Sequence, residues 1–252
     1  MKLRPPMVSY AQNFEDVVLD RVFRDQPTGF YLDIGAWHPT LDSVTRHFYD
    51  KGWSGVNVEP VRADWERLVE ARPRDVNLNV AVGAREGTAR FAEVVGSGWS
   101  ALDLRIDPAL IAEKGFAAHE TEVTVTTLAA LTERHVRGTV DFLKIDVEGA
   151  ERDVIAGGEW RAFRPRVLVI EAIDPVTWQP CWSDWEGMVF ERGYEFGLFD
   201  GVNRFYFRRE EPALRRHFLA PANCLDSFIT YAQRSLIDEV VHLRAQCAAP
   251  KG

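Results

Sequence analysis

The chain has 252 residues, of which 46% are hydrophobic and 27% are charged, so it can bury a core without disulfides or metals. Its net charge of −8 argues against nucleic acid as a partner, because nucleic-acid-binding proteins usually carry a basic face. Cys181, Cys224 and Cys247 are odd in number and lack zinc-ligand spacing, which indicates a reducing compartment. No run approaches the ~18 apolar residues of a membrane span or forms a signal peptide, so we expect a cytoplasmic protein.

The hydrophobic pattern predicts one α/β domain with a helical extension at each end. Residues 1–28 are expected to be an N-terminal helical segment, with a helix over 9–24. The main domain covers 29–209, and 210–252 is a C-terminal extension with a long amphipathic helix over about 225–246. We expect this last helix either to pack on the domain or to join two chains in a homodimer.

Within the main domain, short apolar runs alternate with helical patterns, which is typical of a parallel sheet with crossover helices. In chain order, we predict a strand over 30–34, a helix over 41–51, a strand over 55–59, a helix from Pro60 and a strand over 77–82. The pattern therefore indicates an α/β fold from its first half alone.

The second half contains an irregular stretch and then a regular one. Residues 83–125 are predicted to be an irregular insertion near the site, with added strands at 88–95 and 122–125. Buried strands follow at 140–145 and 166–170, and then two strands at 194–199 and 204–207 flank Asp200-Gly201, which is a strong hairpin signal. We therefore predict a Rossmann-like, mostly parallel sheet that ends in an antiparallel hairpin.

The segment Asp33-Ile34-Gly35-Ala36 follows the first predicted strand of this sheet. A glycine there allows a tight turn and close approach of the backbone to a ligand at the carboxyl end of the strand. A pyrophosphate-binding fingerprint has three glycines where this chain has one, so the pattern favours a cofactor without a pyrophosphate. A purely structural turn explains the tetrapeptide about equally well.

Glu59 ends the next strand, one crossover after the glycine turn. An acidic side chain at that position can accept hydrogen bonds from both ribose hydroxyls of an adenosine cofactor. The alternative is a carboxylate that caps the helix opened by Pro60. Taken with Asp33 and Gly35, the pattern favours the ribose role.

A cluster of ionisable residues follows the strand that ends near Asp146. Buried ionisable groups are costly unless they are paired or used, so we predict Asp146 and Glu148 as site residues, with Lys144 either structural or catalytic. Glu171 ends the next strand and is expected beside Asp146. Such carboxylates can share a proton, orient a hydroxyl or hold Mg²⁺, and a capping or ion-paired role is the alternative.

Two further groups are candidates from their chemistry. His38 follows the glycine turn and is a candidate base, although a loop histidine is more often a hydrogen-bonding partner. Four tryptophans fall outside the core pattern and either form a platform for a sugar ring or pack within the insertion. They are Trp99, Trp178, Trp182 and Trp185.

Five segments together resemble the FkbM family of methyltransferases, and the resemblance runs from about residue 9 to 208. The segments are 9–16 (SYAQNFED), 33–36 (DIGA), 52–60 (GWSGVNVEP), 79–82 (NVAV) and 141–151 (DFLKIDVEGAE). Each is degenerate alone, but their order and spacing are specific.

The resemblance implies a class I methyltransferase fold, S-adenosylmethionine as methyl donor, and O-methylation, commonly of sugars in polysaccharides, glycolipids or natural products. It also implies roles by motif. Asp33, Gly35, Ala36 and Ser43 would line the cofactor site, Glu59 would bind the ribose, Asn79 and Ala81 would lie near the adenine, and Asp146 and Glu148 would lie at the methyl-transfer end.

For the reaction itself, we expect Asp146, or His38 as second choice, to take the proton of the acceptor hydroxyl. Glu148 and Glu171 would orient that hydroxyl or bind a cation, and Asp146 with Glu171 is the candidate pair for Mg²⁺. The leading motif, with Gln12, Glu15 and Asp16 in 9–16, has no derived role, and a lid over the cofactor is one hypothesis.

The chain also departs from the family pattern. Its glycine turn continues with Trp37-His38-Pro39, where the family often has a small residue and a further glycine, so the contacts to the methionine end are undetermined. Two other functions stay open, a nicotinamide-dependent oxidoreductase and a non-catalytic methyltransferase-like subunit. The missing glycines count against the first. The acceptor, a small molecule or a glycan, is not determined by the sequence.

Overall fold

The computed structural model describes residues 6–94, 96, 98, 100–102, 108–174 and 177–248, which form a mixed α/β fold with three sheets. The strands are β1 (Met7–Ser9), β2 (Phe30–Ile34), β3 (Ser54–Val58), β4 (Val76–Leu78), β5 (Ala81–Gly83), β6 (Gly87–Val94), β7 (Ala101–Leu102), β8 (Ala118–Thr127), β9 (Phe142–Ile145), β10 (Val167–Glu171), β11 (Tyr194–Phe199), β12 (Asn203–Arg208) and β13 (Phe228–Thr230). The helices are α1 (Glu15–Phe23), α2 (Arg46–Asp50), α3 (Arg62–Ala71), α4 (Pro108–Glu113), α5 (Leu128–His135), α6 (Glu151–Ala156), α7 (Glu186–Glu191) and α8 (Tyr231–Ala248).

The central sheet has seven strands in the order β11-β12-β10-β9-β2-β3-β4. Strands β4, β3, β2, β9 and β10 are parallel, and β12 is antiparallel to both β10 and β11. The predicted hairpin around Asp200-Gly201 is therefore confirmed. Because the parallel strands run the same way, the carboxyl ends of β2, β3, β9 and β10 meet at one edge of the sheet.

Alternation along the strands places a hydrophobic layer on each face of this sheet. In β2, Tyr31 belongs to one buried cluster, whereas Leu32 and Ile34 belong to the other. The first cluster packs against α1 and α2, and the second packs against α5, α6 and α7. Helices on both faces explain why the inner parallel strands are mostly apolar, with Asp33, Asn57 and Lys144 as buried exceptions.

Residues 83–125 are more regular than the sequence predicted. Their longest described elements form an antiparallel pair, β6 with β8, within a second sheet of order β5-β8-β6-β7. The exposed face of this pair is charged, with Arg90 opposite Glu122, while Phe91 is buried beneath it. One polar face and one buried face are usual for an antiparallel sheet, and the short apolar runs in the sequence concealed it.

The predicted strand over 77–82 is wrong as a single element. Residues 76–78 form β4 of the central sheet, whereas 81–83 form β5 of the second sheet. The Asn79 side chain causes the break, because its Nδ2 donates to the carbonyl oxygens of Glu59 (3.0 Å) and Pro60 (2.9 Å). These bonds turn the chain out of the central sheet.

The terminal elements also differ from the predicted helices. The first helix begins at Glu15 rather than at residue 9, because Phe14 has a φ of 64° and residues 7–9 instead pair with 228–230. The last helix begins at Tyr231 rather than near 225. The helix predicted over 41–51 is confined to 46–50, and hydrogen bonds from Arg72 hold the loop that precedes it.

Among the described residues, no helix is both long and apolar enough to cross a membrane.

The Trp53 side chain is fully buried between the aromatic rings of Phe23 and Phe48, whereas Trp178 is 76% exposed. We expect Trp53→Ala to lower the free energy of unfolding by ~3–5 kcal/mol because it leaves a cavity in a close-packed layer. The matched Trp178→Ala variant should change it by no more than ~0.5 kcal/mol. Denaturant unfolding of both variants tests this, and equal effects would contradict the assigned core.

Candidate active site

A pocket with a volume of about 320 Å³ lies at the carboxyl edge of the central sheet. This edge is where open α/β sheets bind ligands, and the volume suits a small molecule. The loops after β2, β3 and β9 form its floor, and the second sheet contributes the apolar side chains of Phe91 and Leu102. The insertion therefore lies beside the site, as predicted.

Gly35 makes the floor of the pocket possible. Its φ is 82°, and a Cβ atom at this position would lie 1.7 Å from the carbonyl oxygen of Asp146. The backbone N–H groups of Gly35 and Ala36 donate to the Val58 carbonyl oxygen at 3.0 and 3.1 Å. Since Gly35 and Glu59 line the same pocket, the glycine turn and the downstream glutamate do converge.

The Glu59 carboxylate is buried at the junction between β3 and α3. It accepts one hydrogen bond from the Trp37 N–H (2.8 Å) and one from the Val61 N–H (2.7 Å). The second bond holds Val61, the residue just before α3, but no side chain caps this helix, and the Glu59 side chain lines the pocket. Burial raises the pKa of Glu59 to about 7, although both hydrogen bonds oppose the shift.

Lys144 connects the carboxyl ends of β2 and β9. Its Nζ donates to the Gly35 carbonyl oxygen at 2.6 Å and lies 3.4 Å from Asp33 Oδ1 and 3.2 Å from Asp146 Oδ2. Burial alone would lower the pKa of Lys144, but the two carboxylates outweigh it and raise that pKa above its usual range. Lys144 therefore stays charged and holds the turn in place.

Three carboxyl groups gather beside this lysine. Oxygen atoms of Asp146, Glu148 and Glu171 all lie within 4.8 Å of one another. Burial and then the negative charge of Asp146 raise the pKa values of Glu148 and Glu171 well above the usual range. Oε2 of Glu148 is shielded from solvent and has no hydrogen-bond partner among the described residues. The cluster therefore requires protons or a positively charged partner.

Four predicted cofactor or catalytic residues lie behind the pocket wall rather than in it: Asp33, His38, Ser43 and Asn79. Asp33 is buried and accepts a hydrogen bond from Thr45 Oγ1 at 2.9 Å. His38 Nδ1 accepts hydrogen bonds from the N–H groups of Thr40 (3.0 Å) and Leu41 (2.9 Å). Burial, with nearby arginines, lowers the His38 pKa. These contacts agree with a hydrogen-bonding role for His38 in the loop, which was the alternative to a catalytic base.

Ser43 is held by Arg72, a fully buried arginine that the sequence analysis did not single out. Arg72 donates to Ser43 Oγ (2.9 Å) and to the Pro39 carbonyl oxygen (2.6 Å), and it lies 3.7 Å from Asp75. This guanidinium fixes the loop after the glycine turn, which has no ladder hydrogen bonds of its own. A lone arginine just after a helix carries no sequence signal for that role.

The leading motif forms part of the pocket wall through Gln12 and Glu15. Glu15 accepts hydrogen bonds from the Asn13 N–H (3.0 Å) and from Asn203 Nδ2 of the hairpin (2.7 Å). Asp16 accepts from Ser9 Oγ (2.7 Å) and anchors the preceding turn. The motif thus joins the N-terminal segment to the hairpin and closes one side of the site.

The tryptophans predicted as a sugar platform do not line the pocket where they are described. Trp185 is in the core, Trp182 packs on Phe199, and Trp178 is exposed. Trp99 lies outside the described residues. Trp37, which follows the glycine turn where the chain departs from the family pattern, is the one tryptophan among the described residues that lines the pocket.

The comparison with protein families agrees with this geometry. The model of the methyltransferase FkbM domain matches residues 33–196, which is more than half of the chain and spans the glycine turn, Glu59 and the carboxyl cluster. The chain belongs to the FkbM methyltransferase family. Membership in this family implies S-adenosylmethionine as the methyl donor.

Other comparisons are less close. No curated protein matches the sequence. Among solved structures, the fold is similar to a TehB-like S-adenosylmethionine-dependent methyltransferase from Corynebacterium glutamicum, with 10% sequence identity and a TM-score of 0.43. The similarity covers 77% of this chain and 87% of that one.

We expect Gly35→Ala to abolish binding of S-adenosylhomocysteine, because the new methyl group would collide with the Asp146 backbone. Gly52→Ala is the matched control, since Gly52 also has a positive φ (99°) but nothing lies within 4 Å of its Cβ position. That variant should lose only ~1–2 kcal/mol of stability and keep binding. Calorimetric titration measures both affinities, and normal binding by folded Gly35→Ala protein would contradict the role of the turn.

The acidic site also predicts a pH dependence of stability. Three glutamates have pKa values above the usual 4.5, mainly because they are buried. The pKa is about 8 for Glu15 and about 7 for Glu59 and Glu151. The folded chain therefore binds more protons than the unfolded chain between these values, so the free energy of unfolding falls as the pH rises from about 4.5 to 8.

Calorimetric melting of the ligand-free protein across this pH range tests the sign. Glu15→Gln should reduce the slope, whereas Glu122→Gln, on the exposed face of β8, should leave it unchanged. A melting temperature that rises with pH would show that these carboxyl groups are stabilised in their charged forms.

Proposed function

We propose that the protein transfers a methyl group from S-adenosylmethionine to a hydroxyl group of a sugar or a glycosylated natural product. One observation carries the proposal: Gly35, Glu59 and Asp146, which directly follow three different parallel strands, line a single pocket. The first two suit an adenosine cofactor without a pyrophosphate, and the third would supply a carboxylate to the acceptor hydroxyl.

The strand order supports the same proposal. From the β4 edge, the sheet has three strands in reverse chain order, then two further parallel strands, then the antiparallel hairpin. We assign this arrangement to the class I methyltransferase fold. The two βαβ halves diverge between β2 and β9, and this divergence opens the crevice in which the pocket lies.

The pocket residues fit the cofactor in their chemistry. Glu59 would accept the ribose hydroxyls, the apolar segment from Val80 to Val82 would cover the adenine, and Gly35 with Ala36 would face the methionine end. When bound, S-adenosylmethionine supplies a methyl group activated by a sulfonium. The pocket lining contains six acidic residues and one lysine, Lys144. This excess of acidic groups would favour the positive charge of the sulfonium.

Asp146 is our proposed general base. Its side chain is 28% exposed, so it can reach an acceptor in the pocket, while Lys144 at 3.2 Å fixes one of its oxygens. Glu148 and Glu171, whose oxygen atoms lie within 4.8 Å of an Asp146 oxygen, would orient the acceptor hydroxyl. His38 is the weaker choice, because it lies behind the wall and its Nδ1 already accepts two backbone hydrogen bonds.

The excess of carboxylates also restricts the acceptor. An anionic acceptor, such as a phosphate, a nucleotide diphosphate or a uronic acid, would lie beside the acidic groups of Asp146, Glu148 and Glu171. Lys144 would not offset this unfavourable contact, because it already binds the Gly35 carbonyl oxygen. We therefore propose a neutral, hydroxyl-rich acceptor whose hydroxyl groups donate hydrogen bonds to these side chains.

The same carboxyl groups would also be able to bind Mg²⁺. Mg²⁺ prefers oxygen ligands such as carboxylates. Asp146, Glu148 and Glu171 have oxygen atoms within 4.8 Å of one another and would be its ligands. The bound cation would supply positive charge beside the acceptor oxygen. Activity that is lost in chelator and restored by Mg²⁺ supports this part, and activity unaffected by chelator removes it.

Two variants separate cofactor binding from chemistry. We expect Glu59→Gln to weaken S-adenosylhomocysteine binding by ~10–100-fold through weaker hydrogen bonds. We expect Asp146→Asn to bind normally but to lose ~10²–10⁴-fold in kcat, because the base is gone. Calorimetry gives the first value, and transfer of radiolabelled methyl groups to a panel of neutral glycosides gives the second.

The same measurements decide between the alternatives. A non-catalytic subunit would transfer no methyl group to any acceptor and would have no reason to retain tight S-adenosylhomocysteine binding. A nicotinamide-dependent enzyme would bind NAD(P) instead, which the single glycine disfavours. Full activity in Asp146→Asn would reassign the base.

A further inference from the structure

Helix α8 extends away from the rest of the protein. Every residue from 231 to 247 is exposed, and its first residue alone makes a described ring contact, Tyr231 on Tyr10 at 5.2 Å. The helix nevertheless carries large apolar side chains that are about half exposed or more: Leu236, Ile237, Val240, Val241 and Leu243.

The sequence specifies this helix strongly. Thr230 Oγ1 accepts a hydrogen bond from the Gln233 N–H at 3.1 Å, and Gln233 Oε1 accepts one from the Thr230 N–H at 2.9 Å. This reciprocal pair is a capping box, a frequent signal for a helix start. An 18-residue helix without tertiary packing is marginal in water, so a partner for its apolar face would stabilise it.

The apolar residues follow a coiled-coil spacing. Leu236, Val240, Leu243 and Cys247 are separated by four, three and four positions, which places them along one seam at alternating d and a positions. β-branched valine at a and leucine at d are the residues that favour two parallel strands. Ile237 lies beside this seam.

The charges beside the seam select the partner and its direction. Glu239 occupies a g position and Arg244 the following e position, so in a parallel pair Glu239 of each copy meets Arg244 of the other. An antiparallel pair would instead match Ile237 with Arg244. The Arg234–Asp238 ion pair, at 2.9 Å, lies on the outer face.

A membrane surface is a poorer partner for this helix. Its two arginines are balanced by Asp238 and Glu239, whereas helices that lie on anionic membranes have a basic polar face. The self-complementary charge pattern therefore favours a second copy of this chain.

We propose that two copies of the protein associate through a parallel two-stranded coiled coil of α8. The inference is independent of the methyltransferase proposal, because the seam lies outside the pocket. The helix begins beside β13, which pairs with β1, so the dimer would be joined to each domain through that two-stranded sheet.

Sedimentation equilibrium of the full chain tests the seam. The protein should be a dimer that dissociates on dilution, and Leu236→Asp should raise the dimer dissociation constant by at least ~100-fold, because it puts two charges into the seam. The matched control is Val241→Asp, an equally exposed valine outside the seam, which should leave the dissociation constant within a few-fold. A far-ultraviolet circular dichroism spectrum and a cooperative melting transition like those of the unmodified protein show that both variants are folded.

Charge reversal tests the pairing. Glu239→Arg should weaken the dimer by placing like charges together, and the further change Arg244→Glu should restore it. An additive loss in the double variant would overturn the Glu239–Arg244 pairing.

Cysteine cross-linking tests the direction. In the parallel pair, the two Cys247 residues lie at the same level, so mild oxidation should link them, and Cys247→Ser should abolish the link. Ser235→Cys, placed on the outer face in the Cys247→Ser background, should not link. A monomer at every concentration, a dimer unaffected by Leu236→Asp, or cross-linking only through Ser235→Cys would overturn the proposal.

Discussion

The close contact between the ends of β2 and β9 is the constraint on which the site depends. Gly35 lies against the Asp146 backbone, and Lys144 donates across the same junction to the Gly35 carbonyl oxygen. A side chain at residue 35 would separate the two strand ends, and a neutral residue at 144 would leave Asp33 and Asp146 facing each other without a cation. Backbone sterics and one buried charge thus create the floor of the pocket together.

The remaining carboxylates make the pocket strongly acidic, and this acidity has a thermodynamic cost. Burial raises the pKa values of Glu15 and Glu59, and burial with the negative charge of Asp146 raises those of Glu148 and Glu171, so the ligand-free site retains protons near neutral pH. A ligand that carries positive charge would relieve this cost. The same energetics that weaken the empty site would therefore strengthen the binding of a sulfonium cofactor.

The two ends of the chain support the site from one side. The short β1–β13 pair holds the N-terminal segment, and the Phe14 ring lies 5.1 Å from Phe228. Glu15 then binds Asn203 of the hairpin, so the pocket wall is built from segments almost 190 residues apart. Helix α8 directly follows β13 at this same corner, and its apolar seam is exposed.

Local chemistry explains what the sequence by itself determined: the alternation of strands and helices, the hairpin at Asp200-Gly201, the glycine turn and the Glu59 position. Each of these features depends on residues close in the chain or on hydrophobic periodicity. The family motifs then indicated a role in cofactor binding for the glycine turn and for Glu59. Only the tertiary structure decided which polar residues face the pocket. Asp33 and His38 turned out to lie behind its wall, whereas Gln12 and Glu15 form part of it. Orientation at a sheet edge depends on long-range partners such as Lys144 and Asn203, and no local pattern encodes those contacts.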